Sequence, residues 1–192
     1  MTELLPLFLN LSGRTVVLVG GGPVAAAKLR QLLAANATVR VVAPDVVEEI
    51  ADAGRRGVTI FRRAFRPSDL DGAWLVVAAA TPGVNRAVAD AANARRLFVN
   101  AVDDPANATA FLSGVVRRAG VTLAISTSGD APALTSLLRE AIDEVLPAEL
   151  DRWVDVARGE RAVWKRNGVE MAARKPQLLR ALNALYAQEP TL

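Results

Sequence analysis

The sequence contains no cysteine and no histidine, and each absence narrows the chemistry open to it. Without cysteine there is no disulfide and no thiol nucleophile, which favours the cytoplasm as the location. Without histidine there is no Ser-His-Asp triad, no histidine metal cluster and no imidazole proton shuttle. Any acid or base among the side chains must therefore be Asp, Glu, Lys or Tyr.

Long apolar runs are missing as well. No stretch of 18 or more apolar residues is present, which predicts no membrane span. The opening MTELLPLFLNLSGR has no basic region ahead of its apolar part, which argues against a signal peptide. With 192 residues, 52% hydrophobic and 22% charged, the chain has the composition of a globular protein with one core and a small appendage. Its charged surface is rich in arginine, which suits carboxylates or phosphates but decides little alone.

The first hundred residues alternate between apolar strands and helices. Strands are predicted at 15–20, 37–43, 58–63, 74–80 and 97–104, with helices at 23–35, at 46–54 and from Pro82, where Thr81 is the predicted N-cap. Such alternation predicts an α/β fold with a parallel sheet. We therefore expect a Rossmann-type domain over residues 1–110.

The pattern changes after that domain. AFLSGVVRRAGVTLAISTSG predicts an antiparallel hairpin, and DAPALTSLLREAIDEVLP predicts an amphipathic helix. A Rossmann domain of this size would leave their apolar faces partly uncovered, which predicts a homodimer built from residues of about 112–150. We assign 111–147 as a dimerisation segment and 148–192 as a small helical carboxyl-terminal domain, with a break near Asn167-Gly168.

A glycine-rich loop joins the first strand to the first helix. Its G-x-G-x-x-A pattern places Gly20 in the tight turn, Gly22 where a pyrophosphate approaches, and Ala25 where the helix packs on the strand. The helix amino terminus then offers free N–H groups to the phosphates. A strand-to-helix turn that binds nothing is the alternative, but the position in the first βαβ unit favours a nucleotide. The predicted cofactor contacts here are Gly20, Gly21, Gly22, Pro23 and Val24.

The end of the second strand departs from the usual dinucleotide pattern. NAD-selecting proteins commonly carry an acidic residue there, whereas this strand ends on Ala43-Pro44 and Asp45 follows. Either Asp45 reaches the ribose, or the backbone around Pro44 contacts the adenosine and Asp45 caps the 46–54 helix. No arginine follows the strand, where NADP would need one, so NAD is favoured.

Three polar residues stand at the carboxyl end of the fifth strand. They are Asn100, Asp103 and Asp104, in FVNAVDDPANATAF. Ligands of open α/β sheets bind at this edge. Asp104 precedes Pro105 and is interpreted as part of a polar turn.

Several segments, taken in order, resemble one enzyme family. LPLFLNLSGRTVVLVGGGPVAAAK, AAATPGVNRAVADAA, FVNAVDDPANATAF and LAISTSGDAPALTSLLREAIDEVLP are similar to the precorrin-2 dehydrogenase / sirohydrochlorin ferrochelatase family, the amino-terminal module of siroheme synthase. The resemblance covers about residues 4–150. It implies an enzyme that oxidises precorrin-2 to sirohydrochlorin with NAD⁺ in siroheme biosynthesis, and in many members inserts Fe²⁺. It also implies a homodimer with a tetrapyrrole cleft.

The resemblance also implies roles for individual residues. The catalytic aspartate falls on Asp103, and cofactor contacts fall on the glycine loop, on Pro44-Asp45 and on Ala80-Thr81. The loop that lines the tetrapyrrole pocket falls on Ser126, Thr127 and Ser128, to which we add Asn100 from the fifth strand. Ser128 and Asp130 stand where the family commonly has glycine and a small residue. No metal-ligand set is predicted.

The sequence is also compatible with two other classes of function. An NAD-sensing regulatory module is the alternative, although such modules usually carry an acid at the end of the second strand. A nucleic-acid binder would use the basic carboxyl-terminal helices, but their arginines alternate with Glu149, Asp151, Asp155 and Glu160. We therefore predict no nucleic-acid partner.

Overall fold

The computed structural model describes residues 3–187, which form two compact units. The first comprises the described residues up to Leu112 together with Ser126–Pro132. The second comprises Ser113–Ile125 and the described residues from Ala133 onwards. The domain boundaries expected from the sequence, and a dimerisation role for 111–147, stay predictions.

A parallel sheet forms the centre of the first unit. Its strands are β1 (Thr15–Val19), β2 (Thr38–Val42), β3 (Thr59–Phe61), β4 (Leu75–Ala78) and β5 (Phe98–Ala101). They are ordered β3-β2-β1-β4-β5. The direction of the order reverses between β1 and β4, and this reversal opens a ligand crevice at the carboxyl ends of the strands.

Three helices cover the two faces of the sheet. They are α1 (Pro23–Ala34), α2 (Glu48–Arg55) and α3 (Pro82–Ala94). Alternate residues of β1 point to opposite faces: Leu18 packs in one core cluster with α1 and α2, and Val17 packs in another with α3. Since both faces are covered, the central strands are continuous apolar runs. The predicted α/β fold is confirmed.

Local boundaries differ from the predicted ones at several elements, and β3 and β4 are each shorter than the strands predicted at 58–63 and 74–80. The helix expected at 46–54 begins at Glu48 with Val47 at its N-cap, so the alternative that Asp45 caps it is wrong. Glu48 and Glu49 occupy the first turn instead, where acidic side chains suit the helix dipole. The fifth strand ends at Ala101 rather than 104, because the chain turns at once after it.

The second unit contains a hairpin and helices. Strands β6 (Gly114–Arg118) and β7 (Val121–Ile125) pair antiparallel, as predicted. Their two-residue turn, Ala119-Gly120, has φ of 50° and 79°, the left-handed pair that a tight hairpin turn needs. The helices are α4 (Pro132–Val145), α5 (Leu150–Asn167) and α6 (Met171–Ala187).

Polar contacts hold the ends of these helices. The Arg118 guanidinium donates to the carbonyl oxygens of Asp143 at 2.8 Å and Pro147 at 3.2 Å, so this arginine satisfies carbonyls at the end of α4. Helix α5 ends at Asn167, and Gly168 at its C-cap has φ 64°, which confirms the predicted break. Within the described range, no helix combines the length and apolar character needed to cross a membrane.

An ion pair fixes the connection between β3 and β4. The buried Asp69 carboxylate accepts hydrogen bonds from the Arg63 guanidinium at 2.8 and 2.5 Å, and from the backbone N–H of Arg66 at 2.8 Å. The Arg63 hydrogen bond, opposed by burial, holds the pKa of the Asp69 carboxyl below its ordinary value of 3.8. The folded state is therefore stabilised while Asp69 is ionised.

Asp69→Asn is expected to lower the free energy of unfolding by about 1–3 kcal/mol at neutral pH, because it weakens charged hydrogen bonds in a buried position. The difference in free energy of unfolding between wild type and variant is fully present above pH 3.8, the ordinary pKa of an aspartate carboxyl. It is lost as the pH falls through the lower value of the folded state. Urea unfolding of both proteins from neutral to acid pH measures the gap, and a gap that does not narrow in acid would contradict the assignment.

Candidate functional site

Three loops leave the sheet side by side at its carboxyl edge. Val19 pairs in register with Ala78 in the neighbouring strand, and Ala78 pairs with Ala101. The glycine loop, the Ala79–Thr81 loop and the turn at Asp103 follow these three residues directly. The register therefore brings together segments that are about 60 and 20 residues apart in the sequence.

Gly20 and Gly21 are required by the close approach of neighbouring backbone. Gly20 has φ 132°, and a Cβ on it would overlap the carbonyl oxygen of Ala79. A Cβ on Gly21 would overlap the carbonyl oxygen of Asp45. The loop is also hydrogen-bonded on both sides, from Gly20 N–H to Val42 at 3.0 Å and from Val47 N–H to Gly21 at 2.8 Å.

Gly22 has a different reason to be glycine. Nothing lies within 4 Å of a Cβ built on it, and its φ of −83° suits any residue. It is the N-cap of α1, where Pro23 and Val24 are exposed and Ala25 is fully buried against the core. The open space at Gly22 and the unpaired N–H groups of a helix start fit a pyrophosphate.

The segment after β2 lies against the glycine loop. Ala43 is buried, whereas Pro44 and Asp45 are exposed. Because the Asp45 backbone touches Gly21, Asp45, one of the two predicted adenosine-side residues, borders the glycine loop.

The loop after β4 presents Ala80 and Thr81 on the surface. Thr81 occupies the N-cap position of α3, as predicted, but its side chain makes no capping hydrogen bond. The Ala80 N–H instead donates to the side chain of Asn85 at 2.9 Å. Asn85 was missed in the sequence, although its spacing from Val88, Ala89 and Ala92 marks the buried face of α3.

The two adjacent aspartates have different surroundings. Asp104 is half-buried, and its carboxylate accepts a hydrogen bond from the Asn107 side chain at 2.8 Å. Asp103 is exposed and has φ 57°, a left-handed conformation that aspartate tolerates better than most residues. Its carboxylate makes no hydrogen bond within residues 3–187. Of the two, Asp103 is therefore the one available to a ligand.

Lys28 places a positive charge near Asp103. Burial lowers the pKa of the Lys28 ammonium, and attraction to the Asp103 carboxylate opposes that shift. Side chains of a helix lean towards its amino terminus, which on α1 is the end at the cradle. The sequence offers a weak signal for this residue, a lysine five positions after Pro23 in a chain with few lysines.

Asn100 lies beneath the surface of this edge. It is 6% exposed, and its Nδ2 donates to the Ala110 carbonyl at 2.9 Å. Its Oδ1 is buried without a hydrogen-bond partner in the part of the chain that is described. Together with bonds between Val99 and Thr109, it fastens the 109–110 segment along β5. Its predicted contact with substrate stays a prediction.

The serine-rich loop is brought beside the aspartate turn. Ser128 has φ 57°, and its N–H donates to the Ser126 hydroxyl at 3.1 Å. A Cβ on Gly129 would touch Pro105 at 3.5 Å and Phe111 at 3.6 Å. Residues 126–129, which include the predicted Thr127, therefore lie next to the segment that follows Asp103. Their substrate contacts stay predictions, as do the predicted cofactor and catalytic contacts.

The described part of the chain contains no group of three or more Asp and Glu side chains that could hold a metal ion. This edge of the sheet carries the glycine loop, the exposed carboxylates of Asp45 and Asp103, and the Lys28 ammonium.

The chain is similar to a protein family and to several known proteins. The model of a family described as "Putative NAD(P)-binding" matches residues 7–114. The chain is 44% identical over 161 residues to siroheme synthase 1 of Cronobacter sakazakii, covering 83% of this chain and 34% of that protein. It is 36% identical over 187 residues to siroheme synthase of Photorhabdus laumondii, covering 96% of this chain and 40% of that protein. The chain thus spans between a third and two fifths of these relatives.

The fold is also similar to the solved structure of SirC, a precorrin-2 dehydrogenase, with a TM-score of 0.72 and 25% sequence identity. The match covers 92% of this chain and 88% of the SirC chain. These matches confirm the resemblance stated from the sequence. The family model includes the cradle, the Ala80–Thr81 loop and the Asp103 turn, and it matches more than half of the chain. The chain therefore belongs to this NAD(P)-binding family.

Proposed function

We propose that the protein is an NAD-dependent dehydrogenase that oxidises precorrin-2 to sirohydrochlorin. The observation that carries the proposal is the register of β1, β4 and β5, which brings the glycine loop and the exposed Asp103 side chain to one edge of the sheet. The names of the related proteins, siroheme synthase and precorrin-2 dehydrogenase, supply the substrate class. A cytoplasmic location is part of the proposal.

Different residues along this edge bind the cofactor and the tetrapyrrole. Residues 20–24 hold the pyrophosphate at the amino terminus of α1. Pro44 and Asp45 contact the adenosine and ribose, and Ala80 and Thr81 contact the cofactor beyond the pyrophosphate. Asn100 and residues 126–128 contribute to the tetrapyrrole side.

Asp103 performs the proton transfer. Oxidation of precorrin-2 to sirohydrochlorin removes a hydride and a proton. NAD⁺, when bound, supplies the acceptor for the hydride. The Asp103 carboxylate accepts the proton, because the chain has no histidine and this carboxylate is exposed and makes no hydrogen bond within the described residues. Lys28 supplies a neighbouring positive charge.

Insertion of Fe²⁺ into sirohydrochlorin is a second proposed activity at the same cleft. Two pyrrole N–H protons must leave as the metal enters. The exposed Asp103 carboxylate can accept the first, release it to solvent and then accept the second. Fe²⁺ is a substrate in this step, and the tetrapyrrole nitrogens are its ligands.

The test is to incubate the purified protein with precorrin-2, with and without NAD⁺, and to follow the absorbance spectrum. We expect sirohydrochlorin to form only when NAD⁺ is present, and siroheme to form on later addition of Fe²⁺. NADP⁺ is the matched control for cofactor choice. Tight binding of NAD⁺ without any turnover would contradict the proposal and favour the NAD-sensing regulatory module.

A homodimer is the proposed assembly. Helix α4 carries an exposed apolar stripe, in which Leu134, Leu137 and Leu138 are 47%, 61% and 38% exposed. Residues spaced by three and four share one helix face, so a second copy can cover this stripe.

We expect the wild type to sediment at twice the mass of one chain at micromolar concentration, and Leu137→Glu to sediment as a monomer. Leu179→Glu is the matched control, because Leu179 is 51% exposed on α6, outside the predicted interface. A wild type that sediments as a monomer, or a Leu137→Glu variant that stays dimeric, would contradict the assembly.

A further inference from the structure

Asn85 is a buried polar side chain that the proposed chemistry does not use. It is 3% exposed, and the residues one turn further along α3, Val88 and Ala89, are fully buried. A side-chain amide in such apolar surroundings is retained where it makes specific hydrogen bonds. Its partners therefore indicate what it is for.

The oxygen and the nitrogen of the Asn85 side-chain amide form hydrogen bonds with two different loops. Oδ1 accepts the N–H of Ala80 at 2.9 Å, and Nδ2 donates to the carbonyl of Val102 at 3.4 Å. A backbone N–H can only donate and a carbonyl can only accept, so the orientation of the amide is fixed by its partners. Among the described residues, Asn85 is the side chain that bridges these loops.

Each of these loops carries a residue of the proposed site. Ala80 lies in the proposed cofactor loop, and Val102 directly precedes Asp103. The left-handed φ of Asp103, 57°, is one that aspartate tolerates, and contacts around the turn support it. Backbone bonds from Val102 to Ala78 at 2.9 Å and from Asp104 to Ala101 at 3.3 Å support the turn from the strand side. The Asn85 amide supports it from α3.

We propose that Asn85 is a positioning residue that sets the separation between the cofactor loop and the Asp103 carboxylate. This inference rests on the proposed function, in which the hydride and the proton leave the same substrate. A displacement of about 1 Å between reacting groups can cost on the order of 10²-fold in rate. A buried bridge from helix to both loops limits such displacement without touching substrate.

Asn85→Asp separates the two bonds, because it keeps an oxygen for the Ala80 N–H and removes the donor to Val102. We expect its kcat for precorrin-2 oxidation to fall by about 10–100-fold, with the Kd for NAD⁺ by calorimetry within threefold of wild type. Asn85→Ala, which removes both bonds, should lower kcat and also weaken NAD⁺ binding. Asn93→Asp is the matched control, since Asn93 is exposed on the same helix.

A double-variant comparison tests whether Asn85 acts through Asp103. If it does, Asn85→Asp combined with Asp103→Asn is no slower than Asp103→Asn alone, because the carboxylate being positioned is already gone. Losses that multiply would overturn the proposal. So would a folded Asn85→Asp variant with kcat within twofold of wild type.

Hydrogen exchange on the wild type keeps the test independent of turnover and of how the variants fold. We expect the Ala80 amide to be protected in the protein without cofactor, and to lose that protection in any folded Asn85→Ala sample. An Ala80 amide that exchanges at the rate of an open loop in the wild type would overturn the inference. If the wild type binds NAD⁺ but fails to oxidise precorrin-2, the proposed function fails, and calorimetry with exchange still decides the role of Asn85.

Discussion

Asp103→Asn is expected to reduce the rate of precorrin-2 oxidation by about 10²–10⁴-fold, the range for loss of a positioned general base. Asparagine matches the size of aspartate and tolerates the left-handed backbone, so the φ of 57° at this position is kept. The Kd for NAD⁺ should stay within a few-fold of wild type. Fe²⁺ insertion is expected to fall as well, because we propose the same carboxylate as the base in both steps.

Asp103→Ala tests the same loss with a different backbone preference. Alanine is less tolerant of positive φ, so we expect Asp103→Ala to keep the fold and NAD⁺ affinity, lose turnover as Asp103→Asn does, and melt at a slightly lower temperature. Spectrophotometric rate assays at saturating NAD⁺ measure the loss of turnover, and a thermal melt of each variant measures the loss of stability.

Asp104→Asn is the matched control for this prediction. The Asp104 carboxylate is already engaged by Asn107 at 2.8 Å, so its role lies in the turn rather than in proton transfer. We expect its rate to fall by less than about tenfold, well short of the range of about 10²–10⁴-fold for loss of a general base. A larger loss in Asp104→Asn than in Asp103→Asn would mean that the wrong carboxylate has been assigned as the base.

Gly22→Asp is expected to abolish measurable NAD⁺ binding while the protein stays folded. A Cβ at this position meets nothing within 4 Å, and the backbone conformation suits any residue, so the fold has no reason to fail. The new carboxylate would stand where the pyrophosphate approaches. Two unit charges about 4 Å apart near a protein surface repel by about 4 kcal/mol, which corresponds to about a 10³-fold loss of affinity.

Gly159→Asp is the charge-matched control, since Gly159 is exposed on α5 and a Cβ there also meets nothing within 4 Å. Isothermal calorimetry should give wild-type NAD⁺ affinity for this control. Unchanged affinity in a folded Gly22→Asp protein would refute the assignment of the loop as the pyrophosphate cradle. Gly21→Ala should behave differently and disturb the loop itself, because its Cβ would overlap the backbone of Asp45.

Local patterns in the sequence were enough to predict most of the elements of the fold. The alternation of apolar strands with helices predicted the parallel sheet, and the glycine loop was placed correctly between β1 and α1. The hairpin of β6 and β7 and the break near Asn167-Gly168 were also predicted, and in both the chain turns at a glycine with positive φ. The start of α2 was placed wrongly, since Val47, a residue without a capping side chain, occupies its N-cap.

By itself, then, the sequence determined the strand–helix order, the candidate cradle and the pool of acids and bases, because each follows from residue type or from spacing along one element. Only the tertiary structure decided which aspartate is free, where Lys28 lies, and that Asn85 bonds two loops at once. These properties depend on contacts between residues that are far apart in the chain. No local pattern encodes such contacts, because strand register and helix packing determine which loops meet.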